Sequence, residues 1–283
     1  MDEFEQYIQQ LINSLNLDSK FVKVLTDSLS IKVYRKAFTH SSSNSRNNYE
    51  VFEQLGDITF NKFLVWYFHN RFSSFNSPFG VKIVARLRIK YGSKQILADL
   101  ANRFQFWEHI RLGESISAGK KLSILEDTFE AFVGATEYLI DQRMYLGLGY
   151  ICCYQLLKGI FDSIPIHLSY EQLFDAKTRL KELFDVHKEA LGTIVYEYSK
   201  SESSSIVHIY RVIKKQIVQE DLPSSSAAAS EPEERIFLAM ATSPVNKSIS
   251  EQKASEDALC VLSQQGFTRD IPTEYKNILT QMI

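Results

Sequence analysis

Cysteine is scarce in this chain of 283 residues: there are three, Cys152, Cys153 and Cys260. Two are adjacent, and none stands at zinc-ligand spacing. Neither a disulfide framework nor a structural zinc site is expected. Free thiols in a reducing compartment fit, so an intracellular, cytoplasmic protein is the expectation. The six histidines are scattered and add no metal-ligand pattern. Basic charge is not in excess either: 32 Lys and Arg face 34 Asp and Glu, a net charge of −2. That excludes nucleic-acid binding through the overall field of the protein; any such binding has to use local patches. No apolar run follows a basic start, and none is long enough to cross a bilayer. Neither a signal peptide nor a membrane partner is therefore expected. No glycine-rich nucleotide loop is present.

What is there supports real cores. Hydrophobic residues make up 45% and aromatics 12%, and the length suits two modest domains. Residues 2–15 read as an amphipathic helix with Phe4, Ile8, Leu11 and Ile12 on one side. Helical patterns continue over 21–29 and 31–38, then a polar Ser/Asn loop spans 41–48. A helix from Tyr49 to about His69 has Phe52, Leu55, Thr59, Phe63 and Trp66 at helical spacing. Residues 72–80, with Pro78, read as a turn-rich connection. Helices follow over 81–91, 93–104, 123–140 and 147–161. The first of these carries Lys82, Arg86, Arg88 and Lys90, and the loop over 113–121 carries Lys120 and Lys121. Each basic set reads either as a solvated face or as a phosphate-contacting one. The all-helical first domain spans 1–163, and residues 164–175 look like a linker. Over 176–268 the pattern changes: a helix start at Lys177, strands over 193–198, 206–218 and 235–241, and a helix over 250–265. The Ser, Ala and Glu bias of about 219–234 marks a flexible insertion. Residues 269–283 form a tail.

Two stretches carry chemistry. Glu53 and Asp57 are four apart, so their carboxylates stack one turn over the other. Gly56 between them costs the helix roughly 1 kcal/mol relative to Ala, which suggests that another backbone comes close. Asp127 and Glu130 share a face of the later helix, beside a strip of small residues, Ala131, Gly134 and Ala135. Two such helices can bring four carboxylates together. Bare like charges in a cleft oppose joint ionisation, and a bound cation removes that cost. Hard oxygen ligands select Mg²⁺ or a similar ion.

Residues 50–57, E-V-F-E-Q-L-G-D, resemble the ribonuclease III signature N-E-R-L-E-F-L-G-D from its glutamate onward. Asp127-Thr128-Phe129-Glu130-Ala131 with Gly134-Ala135 resembles the family's second acidic helix, D-A-F-E-A followed by G-A. Ala37-Phe38-Thr39-His40-Ser41-Ser42 resembles A-L-T-H-x-S, and Leu87-Arg88 and Leu97-Ala98 match the marks between the acidic helices. Residues 61–66 look like those of divergent members from giant DNA viruses. The resemblance implies an all-helical endonuclease domain followed by an α-β-β-β-α double-stranded RNA-binding domain. It implies an endoribonuclease in which Glu53, Asp57, Asp127 and Glu130 hold Mg²⁺, with Mn²⁺ as the alternative, and cut double-stranded RNA. Products with 5′ phosphates and two-nucleotide 3′ overhangs, and a homodimer, are further implications. Glu50 reads as structural.

Three departures qualify the likeness. The second RNA-binding helix of the family begins S-K-K-x-A, but here the residues are Ser250-Glu251-Gln252-Lys253-Ala254. Lost lysines weaken phosphate binding, leaving Lys177, Thr178, Lys247 and Lys253 as the candidate contacts. Gln54 stands where the family places a bulky apolar residue in the dimer interface. A further family acid falls near Val81. The competing readings are a non-catalytic duplex-RNA-binding or structural protein on the same fold, or one subunit of a heterodimer.

Overall fold

Asp2 begins the first helix as sequence logic requires, its side chain accepting a hydrogen bond from the backbone N–H of Glu5 at 2.9 Å. The computed structural model describes residues 2–114, 117–201, 204–214, 233–244 and 246–280. Helices α1 (Glu3–Ser14), α2 (Ser19–Leu25) and α3 (Ser28–Ala37) precede α4 (Glu50–Arg71) and α5 (Pro78–Tyr91). Then come α6 (Lys94–Arg103), α7 (Lys121–Arg143) and α8 (Leu148–Phe161). Together they make the helical part of a unit that runs to residue 166 and also counts residues from 278 onward.

Helix α7 is the centre of that unit. Buried side chains circle it almost completely, among them Ile124, Thr128, Phe129, Phe132, Val133 and Leu139. A helix apolar on every side must be packed on every side, and α7 lies against α2, α3, α4, α6 and α8. Phe60 of α4 meets Phe129 edge-on with ring centroids 6.1 Å apart. The buried threonine hydroxyls on α7 are matched: Thr128 Oγ1 donates to the Ile124 carbonyl at 2.7 Å, and the Tyr34 hydroxyl lies 2.9 Å from Thr136 Oγ1 in the interior.

Two local expectations change. Trp66 is 49% exposed, and the buried face of α4 runs through Phe52, Gly56, Thr59, Phe60, Phe63 and Tyr67. The stripe drifts because 3.6 residues per turn do not repeat every seven. Helix α5 also begins three residues before the expected start. Pro78 occupies its first turn, where the missing N–H costs nothing, and Ser77 Oγ accepts from the Gly80 N–H at 3.0 Å.

The second unit covers residues 167–277. Its elements are α9 (Tyr170–Leu173), α10 (Ala176–Val186), α11 (Lys188–Leu191), β1 (Thr193–Ser201), β2 (Ser204–Lys214), β3 (Glu233–Ser243) and α12 (Lys247–Gln264). Helix α13 (Thr273–Thr280) follows. The strands form an antiparallel sheet in the order β1-β2-β3, so the expected helix, three strands, helix order is present. A register shift at Ile209/Tyr210 bends the β2–β3 pairing. Leu180, Leu183 and Phe184 of α10 pack with Val207, Ile209 and Leu238 of the sheet and Ala254, Ala258 and Leu262 of α12.

Residues 215–218 of the expected second strand, and 219–232 of the expected insertion, lie outside the described residues. Glu233 and Glu234 belong to β3. Two segments read as linker and tail contain helix. Helix α9 is a single turn, too short to show a period. In α13, Tyr275 is fully buried, its ring 5.3 Å from Tyr170 and 6.0 Å from Phe174. Its hydroxyl donates to the Leu168 carbonyl. Among the described residues no helix is long and apolar enough to cross a membrane.

Candidate metal centre

The acidic residues meet because two glycines let backbones touch. A Cβ on Gly56 would lie 1.8 Å from the Glu130 carbonyl oxygen, and one on Gly134 would lie 2.0 Å from that of Phe52. Only glycine at both positions allows α4 and α7 to cross this closely. The crossing sets Glu53 beside Asp127 and Glu130, and one carboxylate oxygen from each of the three lies within 4.8 Å of the other two. Glu130 is 9% exposed, while Glu53 and Asp127 are half-buried.

This grouping perturbs the acids in one direction. Burial pushes Glu130 up to about 8, helped by the charges of Asp57, Glu126, Glu53 and Asp127. Burial likewise raises Glu53 to about 7, with Asp127 the largest neighbouring charge. Asp127 is raised by burial against the opposing hydrogen bond from Tyr49. Three carboxylates that oppose one another's ionisation could hold a hard divalent cation.

Asp57 stands apart from the three. It is exposed, and its Oδ1 accepts a 2.7 Å hydrogen bond from Asn61 Nδ2, which also donates to the Asp57 carbonyl at 2.9 Å. Behind it, Arg88 Nη1 donates to Asn61 Oδ1 at 3.1 Å.

Four further residues join the site that sequence reasoning did not single out for it. Tyr49 donates its hydroxyl to Asp127 Oδ2 at 2.9 Å. Burial, then the Asp127 charge, raise the Tyr49 pKa and keep it a donor. His40 packs edge-on against Tyr49 with centroids 5.6 Å apart. Glu126 pairs with Lys94, whose Nζ also donates to Ser123 Oγ at 3.0 Å. Burial alone would lower Lys94, but the Glu126 carboxylate outweighs it and raises the pKa. Glu126 adjoins Asp127 in sequence and Tyr49 stands one helical turn before Glu53, which was a usable signal. Lys94 carried none, because its partner lies on another helix.

The basic candidates are scattered in their engagements. Arg88 is bonded to Asn61. Lys82 lies 5.6 Å from the Phe79 ring centroid and Lys90 the same distance from Tyr91. Burial lowers the Lys90 pKa. Arg86 is half-buried and Lys120 exposed. Lys121 lies 4.8 Å from the Trp107 ring centroid. Gln54 is exposed on α4, between Val51 and Ile58, each 67% exposed.

In the second unit Glu251 collects the expected phosphate contacts. Lys177 Nζ lies 3.0 Å from its Oε2, Tyr198 donates to its Oε1 at 2.7 Å, and Lys247 Nζ lies 3.8 Å away. Burial alone would raise Glu251; the Tyr198 hydrogen bond and Lys177 lower it. Helix α12 starts at Lys247 with Asn246 as its cap, so Glu251 lies beyond the first turn, where the helix dipole contributes little. Gln252 Nε2 donates to Asp175 Oδ1 at 3.2 Å. Thr178 donates to Asp175 through its backbone N–H and its hydroxyl. Lys253 is exposed.

Comparison with known proteins places these features. The Ribonuclease-III-like family pattern matches residues 30–140, the stretch that holds all four carboxylates. A protein of Invertebrate iridescent virus 6 named "Putative ribonuclease 3" is 33% identical, over 97% of this chain and 92% of its own length. One of the same name from Frog virus 3 (isolate Goorha) is 42% identical over 65% of this chain and 50% of its own length. Among solved structures, the nuclease domain of ribonuclease III from Campylobacter jejuni aligns with 52% of this chain and 99% of its own, at 22% identity and a TM-score of 0.39.

Proposed function

The chain belongs to the ribonuclease III family, and on that premise we propose that it is a metal-dependent endoribonuclease that cuts double-stranded RNA. The observation that carries this reading is the trio Glu53, Asp127 and Glu130, with oxygens within 4.8 Å at the glycine crossing. An inert relative would have no reason to keep mutually repelling acids in a half-buried cleft. These three would hold the ion, with Asp57 as the fourth carboxylate. When bound, Mg²⁺ (or Mn²⁺) supplies an activated water and stabilises the leaving 3′ oxygen.

The chain's own groups prepare that site. Tyr49 fixes the Asp127 carboxylate through one oxygen, Oδ2, and leaves the other for the ion. Lys94 neutralises Glu126, so the extra acid does not add a full charge to the cluster. The substrate class is duplex RNA, cut to products with 5′ phosphates and two-nucleotide 3′ overhangs. The working assembly is a homodimer, in which two-fold symmetry presents one cleft to each strand. The domains are a catalytic domain over 1–163, a linker over 164–175 and a double-stranded RNA-binding-like domain over 176–268. The setting is intracellular and cytoplasmic.

The experiment is incubation of the full chain with long duplex RNA in Mg²⁺, then in EDTA. Short duplex products in the first arm and intact RNA in the second are expected. Intact duplex in both Mg²⁺ and Mn²⁺ refutes the reading.

A further inference from the structure

Asp57 is the one assigned carboxylate that lies outside the close trio, and its surroundings explain how it is kept within reach. It is exposed on α4, and its charge is the largest neighbouring one acting on Glu130. Repulsion from Glu130 favours swinging the Asp57 side chain away into water. Asn61, one turn further along α4, opposes that swing. Its amide N–H₂ donates to Asp57 Oδ1 at 2.7 Å and to the Asp57 carbonyl at 2.9 Å. Asp57 Oδ2 is left as a free ligand oxygen by these two bonds.

An amide has one donor end and one acceptor end, and reversing it would turn an oxygen toward the carboxylate. Arg88 of α5 settles which end faces Asp57. A guanidinium only donates, so its 3.1 Å bond to Asn61 Oδ1 fixes the Asn61 N–H₂ on the Asp57 side. In sequence Arg88 reads either as part of a solvated face or as a phosphate contact; in the structure its Nη1 is bonded to Asn61.

We propose that Arg88 and Asn61 are positioning residues that hold Asp57 ready for the divalent ion, a relay from α5 to α4. The proposal rests on the reading of the acidic cluster as an ion site. Outer partners of this kind shift metal affinity by about 10–100-fold when removed. Neither residue is a ligand, and neither is needed for the core: Arg88 is exposed and Asn61 half-buried.

The test is calorimetric titration of the full chain with Mn²⁺ in the absence of RNA, with melting in EDTA alongside. Asn61→Ala and Arg88→Met should each weaken Mn²⁺ binding by about 10-fold or more, with melting in EDTA unchanged. The double variant should bind no more weakly than Asn61→Ala alone, because Arg88 acts only through Asn61. Arg88→Lys, which keeps a donor-only cation, should recover part of the loss. Unchanged Mn²⁺ affinity in Arg88→Met, beside clear binding by the unmodified protein, overturns the relay and returns Arg88 to the RNA surface. Additive losses in the double variant overturn it as well. Failure of the unmodified protein to bind Mn²⁺ overturns the ion-site reading, and the relay with it.

Discussion

Gly56→Ala isolates the contact that builds the site. The added Cβ would lie 1.8 Å from the Glu130 carbonyl oxygen and 2.9 Å from the Gly134 nitrogen. Both are backbone atoms, so no side chain can turn aside. A carbon–oxygen contact relaxes near about 3.3 Å, so α4 and α7 would have to part by roughly 1.5 Å. Helix propensity alone favours the alanine by about 1 kcal/mol. Overpacking a closed core costs about 1–3 kcal/mol, and strain carried by two backbones falls at or above the top of that range. Net destabilisation of about 2 kcal/mol or more is therefore expected. The same parting takes Glu53 away from Asp127 and Glu130, so Mn²⁺ binding should weaken too. Gly159→Ala is the control: it is exposed in α8, and its Cβ would meet only Asn16 Cβ at 3.9 Å. There the propensity term is unopposed, and a gain of about 0.5–1 kcal/mol is expected. Urea denaturation in EDTA measures both. A Gly56→Ala protein as stable as the unmodified one, with normal Mn²⁺ affinity, would refute the argument.

The raised acids and the neutralised lysines around Glu251 give two more predictions. Glu130 and Glu53 hold protons more tightly folded than unfolded, with values near 8 and 7. Metal-free protein should thus be most stable in mild acid and lose a few kcal/mol as pH rises from the ordinary carboxylate range through about 8. Glu130→Gln should flatten most of that slope in EDTA melts and abolish cleavage while sparing duplex binding; a slope as steep as before, or surviving cleavage in Mg²⁺, would contradict the assignment. Glu251→Lys with Gln252→Lys should release Lys177 and Lys247 from Glu251 and steepen the salt dependence of duplex binding by about two phosphate contacts' worth of slope or more. Anisotropy of the full chain in EDTA across a salt series checks this, and an unchanged slope would mean that α12 does not face the RNA.

Much of the site was legible because it is local. Glu53 and Asp57 lie on one helix at a spacing of four, and Asp127 and Glu130 on another at three. Period alone puts each pair on one face. Gly56 signalled a close backbone, and Gly134 and the alanines beside it signalled the partner surface. Helix α7 was legible as helix, but its burial on all sides was not, since a stripe shows only where one face is wet. Trp66 was put on the wrong face for another reason: a seven-residue repeat drifts around a helix of 3.6 residues per turn. Helices α9 and α13 were missed because a single turn has no period and because Tyr275 is buried by partners a hundred residues earlier.

What sequence could not supply was the partner of each charge. Lys177 and Lys247 read as phosphate contacts from residue type and position, and both turn to Glu251. Arg88 read the same way and turns to Asn61, 27 residues earlier. In each case a nearby acceptor already engages the basic residue, a pairing that residue type and position do not reveal. A chain with net charge −2 has acceptors to spare, so counting its lysines and arginines overstates the surface free for RNA. The acids obey the opposite rule. Among the described residues, Tyr49 donates to Asp127, and the nearby bases are Lys94, held on Glu126, and His40, both of which act on Asp127 from the edge of the cluster. A cation from solution would let all three ionise together at neutral pH, which is why the acids, more than the bases, carry the proposed metal site.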